Sequence, residues 1–183
     1  MPRAFWGSVG SARTRGSEEQ GKRMAVSNEA FRKLLGSWAT GVTVVTACDG
    51  DRVHGMTVSA FSEVSLEPPL VLVCAERAAN TRPFIDAGGV FAVNVLAEGQ
   101  EGISNKFASK KDEWKRFDSL DFELGGNGAP LLAGVVGSLE CRVVAAHEHG
   151  DHIVYVGEVE AVQYTDRRPL LYYAGSYGRF DAI

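Results

Sequence analysis

Short β-branched apolar runs, each closed off by glycine, proline or an Asp-Gly pair, constrain this chain more than any other feature. Val42–Ala47 runs into the turn signal Cys48-Asp49-Gly50-Asp51. Val53–Phe61 and Ser62–Leu66 read as further strand, and Pro68-Pro69 then introduce Leu70–Cys74. That last run is unbroken in its apolar character and predicts a strand buried on both faces. Val90–Leu96 also has strand length, and Gly137–Ala146 and Ile153–Tyr164 form two longer strands around a turn at His149-Gly150-Asp151. Helical spacing is confined to brief stretches. Ser27 caps Asn28–Ala39, which repeats Ala30, Phe31, Leu34, Leu35 and Trp38 on one face and ends at Gly41. Arg77–Ala87 has Asn80 or Thr81 as its cap and Gly88-Gly89 as its stop, and Glu98–Phe107 is a third candidate. Lys110–Asp121 is charged and irregular, and Pro169–Phe180 is an aromatic tail. Six or more strands without regular strand–helix alternation disfavour a doubly wound parallel sheet. A closed or nearly closed antiparallel barrel with peripheral helices is expected.

At 183 residues the chain suits one domain, expected over 27–183. Residues 1–26 carry Arg, Ser and Gly with little apolar patterning and are expected to be a flexible extension. With 19 basic against 23 acidic residues and a net charge of −4, no broad basic field favours nucleic acid. Cys48, Cys74 and Cys141 lie far apart and odd in number, so a disulfide framework is not expected and a reducing, cytoplasmic setting is. No apolar run has the length of a membrane span, so no membrane association is expected, and the N-terminus lacks the hydrophobic segment of a secretory signal.

The chain has no GxGxxG, GxxxxGK[ST] or GxSxG, so a phosphorylated ligand would need another cradle. Gly55-Met56-Thr57-Val58-Ser59-Ala60-Phe61 sets two hydroxyls on one face of a strand among small residues. This fits either the edge of a polar heterocycle or an ordinary half-buried strand. Cys74–Thr81 leads from a strand into a helix start, which suits a phosphate or simply a capped helix. His147-Glu148-His149-Gly150-Asp151-His152 holds three of the four histidines, but strands meeting at a Gly-Asp turn scatter them over both faces, and no metal site is expected. A solvated hairpin tip or one functional histidine remains.

Six segments in order resemble one family: Ala39-Thr40-Gly41-Val42-Thr43-Val44-Val45-Thr46, His54–Phe61, Ser65–Val73, Phe91–Leu96, Gly150-Asp151-His152 with Val156-Gly157-Glu158-Val159, and Pro169–Tyr173. Over roughly Ala30 to Phe180 the chain is similar to the short-chain flavin reductases, FMN-binding split barrels that serve as reductase components of two-component flavin monooxygenases. The resemblance implies a mainly β fold, an antiparallel split β-barrel with Greek-key character and two or three short peripheral helices, and a homodimer with flavin near the subunit interface. It implies that Gly41 and Val42 approach the flavin, that Met56, Thr57, Val58, Ser59 and Ala60 run along its ring and ribityl chain, and that Cys74 and Ala75 follow. Asn80 and Thr81 match the phosphate side, and Ser104 and Phe107 a segment near the ring. His152 matches a histidine associated with nicotinamide, and Tyr177 and Arg179 a tail lining that pocket. Two departures stand out: Thr57-Val58-Ser59-Ala60 replaces the Thr-Ala-Asn-Ala or Thr-Ala-Ser-Ser of many relatives, and Cys74–Asn80 lacks the serines common there.

The activity so implied is hydride transfer from NADH or NADPH to FMN or FAD, with reduced flavin passing to a partner monooxygenase. His152 would position nicotinamide rather than act as an acid, because the cofactors carry the chemistry. Two alternatives stand beside it: a flavin- or haem-binding split-barrel module without reductase turnover, and a pyridoxamine-phosphate-oxidase-like enzyme, which the Gly-Asp-His turn and the tail disfavour.

Overall fold

The computed structural model describes residues 26–182. All but Val26 of the expected N-terminal extension lies outside them. Ser27 does cap α1 (Asn28–Gly36), its hydroxyl accepting from the Ala30 N–H at 3.1 Å. The helix stops earlier than its periodicity predicts, because β1 (Thr40–Gly41) is drawn into pairing with Leu171 and Tyr172 near the C-terminus. Then follow β2 (Thr43–Asp49), β3 (Arg52–Val58), β4 (Phe61–Leu66), β5 (Pro69–Glu76), α2 (Arg82–Gly88), β6 (Val90–Val95) and α3 (Glu101–Ala108). A 3₁₀ turn (Glu113–Lys115), β7 (Phe122–Leu124), β8 (Pro130–Leu132), β9 (Gly137–His149), β10 (His152–Tyr164), β11 (Leu170–Tyr173) and β12 (Ser176–Arg179) complete the chain.

Seven strands form one antiparallel sheet in the order β3-β2-β6-β9-β10-β5-β4. Its outermost strands, β3 and β4, are joined by only Ser59 and Ala60. A flat sheet of this width would hold its edges roughly 29 Å apart, whereas the three Cα steps from Val58 to Phe61 reach at most about 11 Å. The sheet must therefore curl until its edges nearly meet. No hydrogen-bonded pairing joins β3 to β4, so the sheet is curled but not closed into a barrel.

Inside the curl, Val45, Val71, Val73, Phe91, Val93, Ile153 and Tyr155 pack with Ile85 of α2. A second cluster, with Val42, Val44, Leu96, Phe107, Leu132 and Leu170, fills the space towards α3 and β8. The strand buried on both faces is thus β2, not β5. In β5 only Val71, Val73 and Ala75 are buried, with intervening residues half-exposed. Its uninterrupted apolar run hid an ordinary antiparallel alternation.

Asn94 of β6 is the polar hub between these layers. Its Oδ1 accepts from the Leu132 N–H at 2.8 Å and the Ser138 hydroxyl at 2.9 Å. Its amide donates to the Val44 carbonyl at 3.2 Å, while Thr46 donates to the Pro130 carbonyl at 2.6 Å. Because every group of this buried set is answered, the layers can share a polar centre without loss.

Both remaining helices are shorter or later than expected. The chain after β5 is held by the Arg77 N–H donating to the Asp151 carbonyl at 2.9 Å, so α2 begins only at Arg82. Before α3, Gln100 folds back to accept from the Ala97 N–H at 2.8 Å, next to Gly99 at φ +88°. The aromatic tail is a β-hairpin, turning at Ala174-Gly175 with φ of +49° and +83°, as a primed two-residue turn requires.

Gly157 on β10 is fixed by packing: a Cβ there would lie 2.5 Å from Phe91 Cζ and 2.9 Å from Cys141 Cβ. Gly157→Ala is expected to lower stability by about 1–3 kcal/mol through overpacking, read as a fall in the denaturant midpoint; an unchanged midpoint would show that Phe91 gives way freely.

Candidate functional site

Where the sheet edges approach each other, a groove of about 320 Å³ opens between the end of β3, the end of β5 and the 107–116 segment. A second hollow of about 310 Å³ adjoins it, sharing Thr57, Ser59 and Ala108. A third, of about 430 Å³, lies by β8 and the far ends of β9 and β10 and has no lining residue in common with either.

Met56, Thr57, Val58, Ser59, Ala60, Cys74, Ala75, Asn80, Thr81, Phe107 and His152 all line the first groove. Val42, Ser104 and Tyr177 join Thr57 and Ser59 around the second. Segments far apart in sequence thus converge on one continuous surface. Gly41 adjoins Val42 but lines neither hollow, and Arg179 lies outside both, facing Glu98 at 3.9 Å and Asp181 at 3.6 Å.

Geometry assigns these side chains different work. Thr57 donates its hydroxyl to the Ser104 carbonyl at 2.6 Å, which leaves Ser59 as the exposed hydroxyl of the pair. Tyr177 donates towards the Ser104 hydroxyl at 2.9 Å and Asn105 Oδ1 at 2.8 Å, tying β12 to α3. Phe107 is buried beneath Gly55, where a Cβ would meet its Cε1 at 2.8 Å. Burial pushes the Cys74 thiol above its ordinary value, so that half-buried wall residue is not an activated thiolate. The expected α2 cap is not made: Thr81 has no capping bond, and its buried hydroxyl pairs instead with His54 Nδ1 at 2.8 Å. His152 stands across from Glu76 at the groove rim, and its Nδ1 lies 2.7 Å from Asp151 Oδ1. That hydrogen bond holds the Asp151 carboxyl below its usual range.

Sequence reasoning missed one cluster altogether. Arg116, with 5% of its side chain exposed, donates to the Gly55 carbonyl at 2.6 Å and the Ser109 carbonyl at 2.5 Å. Glu113 lies 3.4 Å from Arg116 and 3.5 Å from His54, and accepts from the Asn80 amide at 3.0 Å. Arg116, Glu113 and Lys110 all line the groove. They come from the irregular 110–121 stretch, where no periodicity marks which charges turn inward; the one sequence signal was the density of Lys, Asp, Glu and Arg itself.

A flavin with its phosphate fits what these residues offer. Among the described residues, the N–H groups of Ser59, Ala60 and Asn80 have no hydrogen-bond acceptor, and the buried Arg116 Nε has none either. Small residues, Ser59, Ala60, Ala75, Ala79 and Ala108, leave the walls flat enough for a planar ring. No group of three or more His, Cys, Asp or Glu side chains among the described residues could hold a metal ion.

A curled antiparallel sheet with a donor-lined groove where its edges meet is the scaffold of a cofactor-binding β-protein rather than of a nucleotide-binding α/β enzyme. The flavin reductase like domain matches residues 35–181, and the chain belongs to that family. A flavin reductase from Pseudomonas putida is 40% identical over 163 residues, covering 88% of this chain and 95% of that protein. The flavin-dependent monooxygenase reductase subunit HsaB of Mycobacterium tuberculosis is 37% identical over 83% of this chain and 82% of its own length. Among solved structures, the NADH:FAD oxidoreductase SgcE6 of Streptomyces globisporus, in complex with NAD and FAD fragments, superposes with a TM-score of 0.79 at 40% identity, covering 84% of this chain and 92% of that one.

Burial, and secondarily the Arg116 charge, lower the His54 pKa from 6.5. The folded state therefore binds fewer protons than the unfolded one below that value, so stability is retained above 6.5 and lost as pH falls from there through the folded pKa. His54→Gln is expected to flatten this acid-side decline, measured as the difference in denaturant midpoint above and below pH 6.5; an unchanged slope would remove His54 from the account.

Proposed function

We propose that this protein is a nicotinamide-dependent flavin reductase that reduces FMN or FAD with NADH or NADPH and supplies the product to a partner monooxygenase. The observation that carries this is the convergence of Met56–Ala60, Cys74, Asn80, Thr81 and His152 on one groove, in a chain of the flavin reductase-like family. Flavin held in this groove would supply the hydride-accepting chemistry, with the nicotinamide dinucleotide as donor.

The protein's work is binding and orientation. Thr57, fixed by its bond to Ser104, stiffens the β3 end so that Ser59 and Ala60 present free N–H donors to a polar ring edge. Phe107 closes the floor and keeps water from beneath the ring. His152, oriented by Asp151, sits at the rim where a nicotinamide would enter, as a positioning residue. Val42, Ser104 and Tyr177 extend the site along the second hollow, whereas Gly41 and Arg179 lie outside its lining. The setting proposed is the cytoplasm, where nicotinamide dinucleotides are regenerated; no helix among the described residues is long and apolar enough to cross a membrane. Reductase subunits such as HsaB support a monooxygenase partner, which the reduced flavin is proposed to reach by diffusion.

Steady-state assays crossing NADH and NADPH with FMN, FAD and riboflavin test the reading. His152→Ala is expected to lower kcat/KM for the nucleotide roughly 5- to 30-fold, as loss of a contact of about 1–2 kcal/mol would, with flavin affinity nearly intact. Flavin binding without nucleotide oxidation in the unmodified protein would favour the non-reductase binding module.

The protein is further proposed to be a homodimer. Phe31, Leu34 and Leu35 of α1 and Trp38 just beyond it are each more than half exposed, and α1 is tied to the aromatic hairpin where the Ala174 N–H donates to the Gly36 carbonyl at 2.8 Å. Such a large apolar surface calls for a partner. Light scattering is expected to give the dimer mass, and a monomer with full activity would refute it.

A further inference from the structure

The Glu113 carboxylate stands among the donors that an anionic ligand in the groove would seek. Three of them converge on a single oxygen, Oε2: the Asn80 amide at 3.0 Å, an Arg116 nitrogen at 3.4 Å and His54 Nε2 at 3.5 Å. Only the first is a hydrogen bond of ordinary length; the Arg116 contact is a long ion pair and the His54 contact a longer polar approach. Arg116 otherwise meets neutral carbonyls, of Gly55 and Ser109, so Glu113 is its one anionic partner among the described residues. With 15% of the Glu113 side chain and 5% of Arg116 exposed, the pair is poorly screened. The remaining cation on the groove wall, Lys110, is opposed by Glu76 at 3.5 Å. The groove thus carries strong donors whose charge its own carboxylates offset.

We propose that Glu113 is a built-in competitor for the phosphate of the flavin, occupying the Asn80 and Arg116 donors that the phosphate takes over on binding, and so sets how weakly phosphorylated flavins are held. This rests on the flavin occupying the groove as proposed above. A cofactor phosphate carries close to two negative charges near neutral pH, and it must displace a like charge from donors that Glu113 holds loosely. The outcome is a site that distinguishes phosphorylated from unphosphorylated flavin less than its donors alone would. Modest retention suits an enzyme whose reduced flavin has to leave.

Fluorescence titrations of FMN and of riboflavin into the full chain test this. Glu113→Gln keeps the shape and removes the charge; it is expected to tighten FMN about fivefold to tenfold, the scale of relieving one partly screened like-charge contact, while riboflavin affinity barely moves. Asn80→Ala should weaken FMN and spare riboflavin, and because Asn80 is exposed this variant tests the donor half even if Glu113→Gln fails to fold. Weaker FMN binding in Glu113→Gln would make Glu113 a ligand-holding group and overturn the proposal. Equal shifts for both flavins, or no shift for either, would overturn it as well. Failure of the unmodified protein to bind either flavin would instead defeat the flavin reading itself.

Discussion

Two residues, Ser59 and Ala60, impose the constraint on which the rest of the structure depends. They connect the outermost strands of a seven-stranded sheet, so the sheet has no choice but to curl. Curling gives Val45, Val73, Phe91 and Ile153 a shared interior that no flat sheet would enclose. The carbonyls of this linker are used, Ala60 accepting from the Cys74 N–H and Ser59 from the Phe61 N–H, each at 3.0 Å, but its N–H groups have no acceptor among the described residues, and its small side chains leave them open to solvent. A connection demanded by topology thereby becomes a row of free donors at the mouth of the curl. Fold and site share one origin, which explains why the groove forms where β3 meets β4 rather than over a sheet face.

The chemistry asked of such a groove is undemanding in side-chain acids and bases and exacting in shape. Hydride transfer between two rings needs them stacked and held, because the reaction's electronic work lies in the cofactors. The structure spends its polar groups accordingly. Thr57, Ser104 and Tyr177 bond to one another or to backbone and rigidify the wall, while the free donors belong to backbone at Ser59, Ala60 and Asn80. Backbone donors are fixed by the fold and lose little freedom when a ligand arrives, which suits them to stabilising charge on a ring edge.

How much of this was legible in the sequence depended on whether a feature was local. The Asp49-Gly50 and Gly150-Asp151 turns, the long β9–β10 pair and the Ser27 cap carry their own chemistry within a few residues, and strand positions follow from them. Helix bounds were less legible, since β1 pairing, the Arg77–Asp151 bond and the Gln100 fold-back are tertiary events that override periodicity. The apolar run of β5 concealed a half-exposed strand because Leu70, Leu72 and Cys74 are apolar yet only half-buried, Cys74 in the groove wall. Most of the groove's lining lies among the residues that the family resemblance implies, whereas the place of Glu113 and Arg116 in it was invisible. The inward turn of Arg116 depends on carbonyls of Gly55 and Ser109, and that of Glu113 on Arg116 and Asn80, which no reading of residues 110–121 alone could supply.

Motif residues in this fold therefore divide into two kinds that a sequence cannot tell apart. Asn94 and Gly157 line neither hollow of the site: one answers a buried polar hub, and the other leaves room for Phe91 and Cys141. Gly55 belongs to both kinds. It lets Phe107 close the groove floor by lacking a Cβ, and its carbonyl anchors the buried Arg116 that faces Glu113. A substitution there would raise the floor and loosen the charged wall at once, so its consequences for packing and for binding are inseparable.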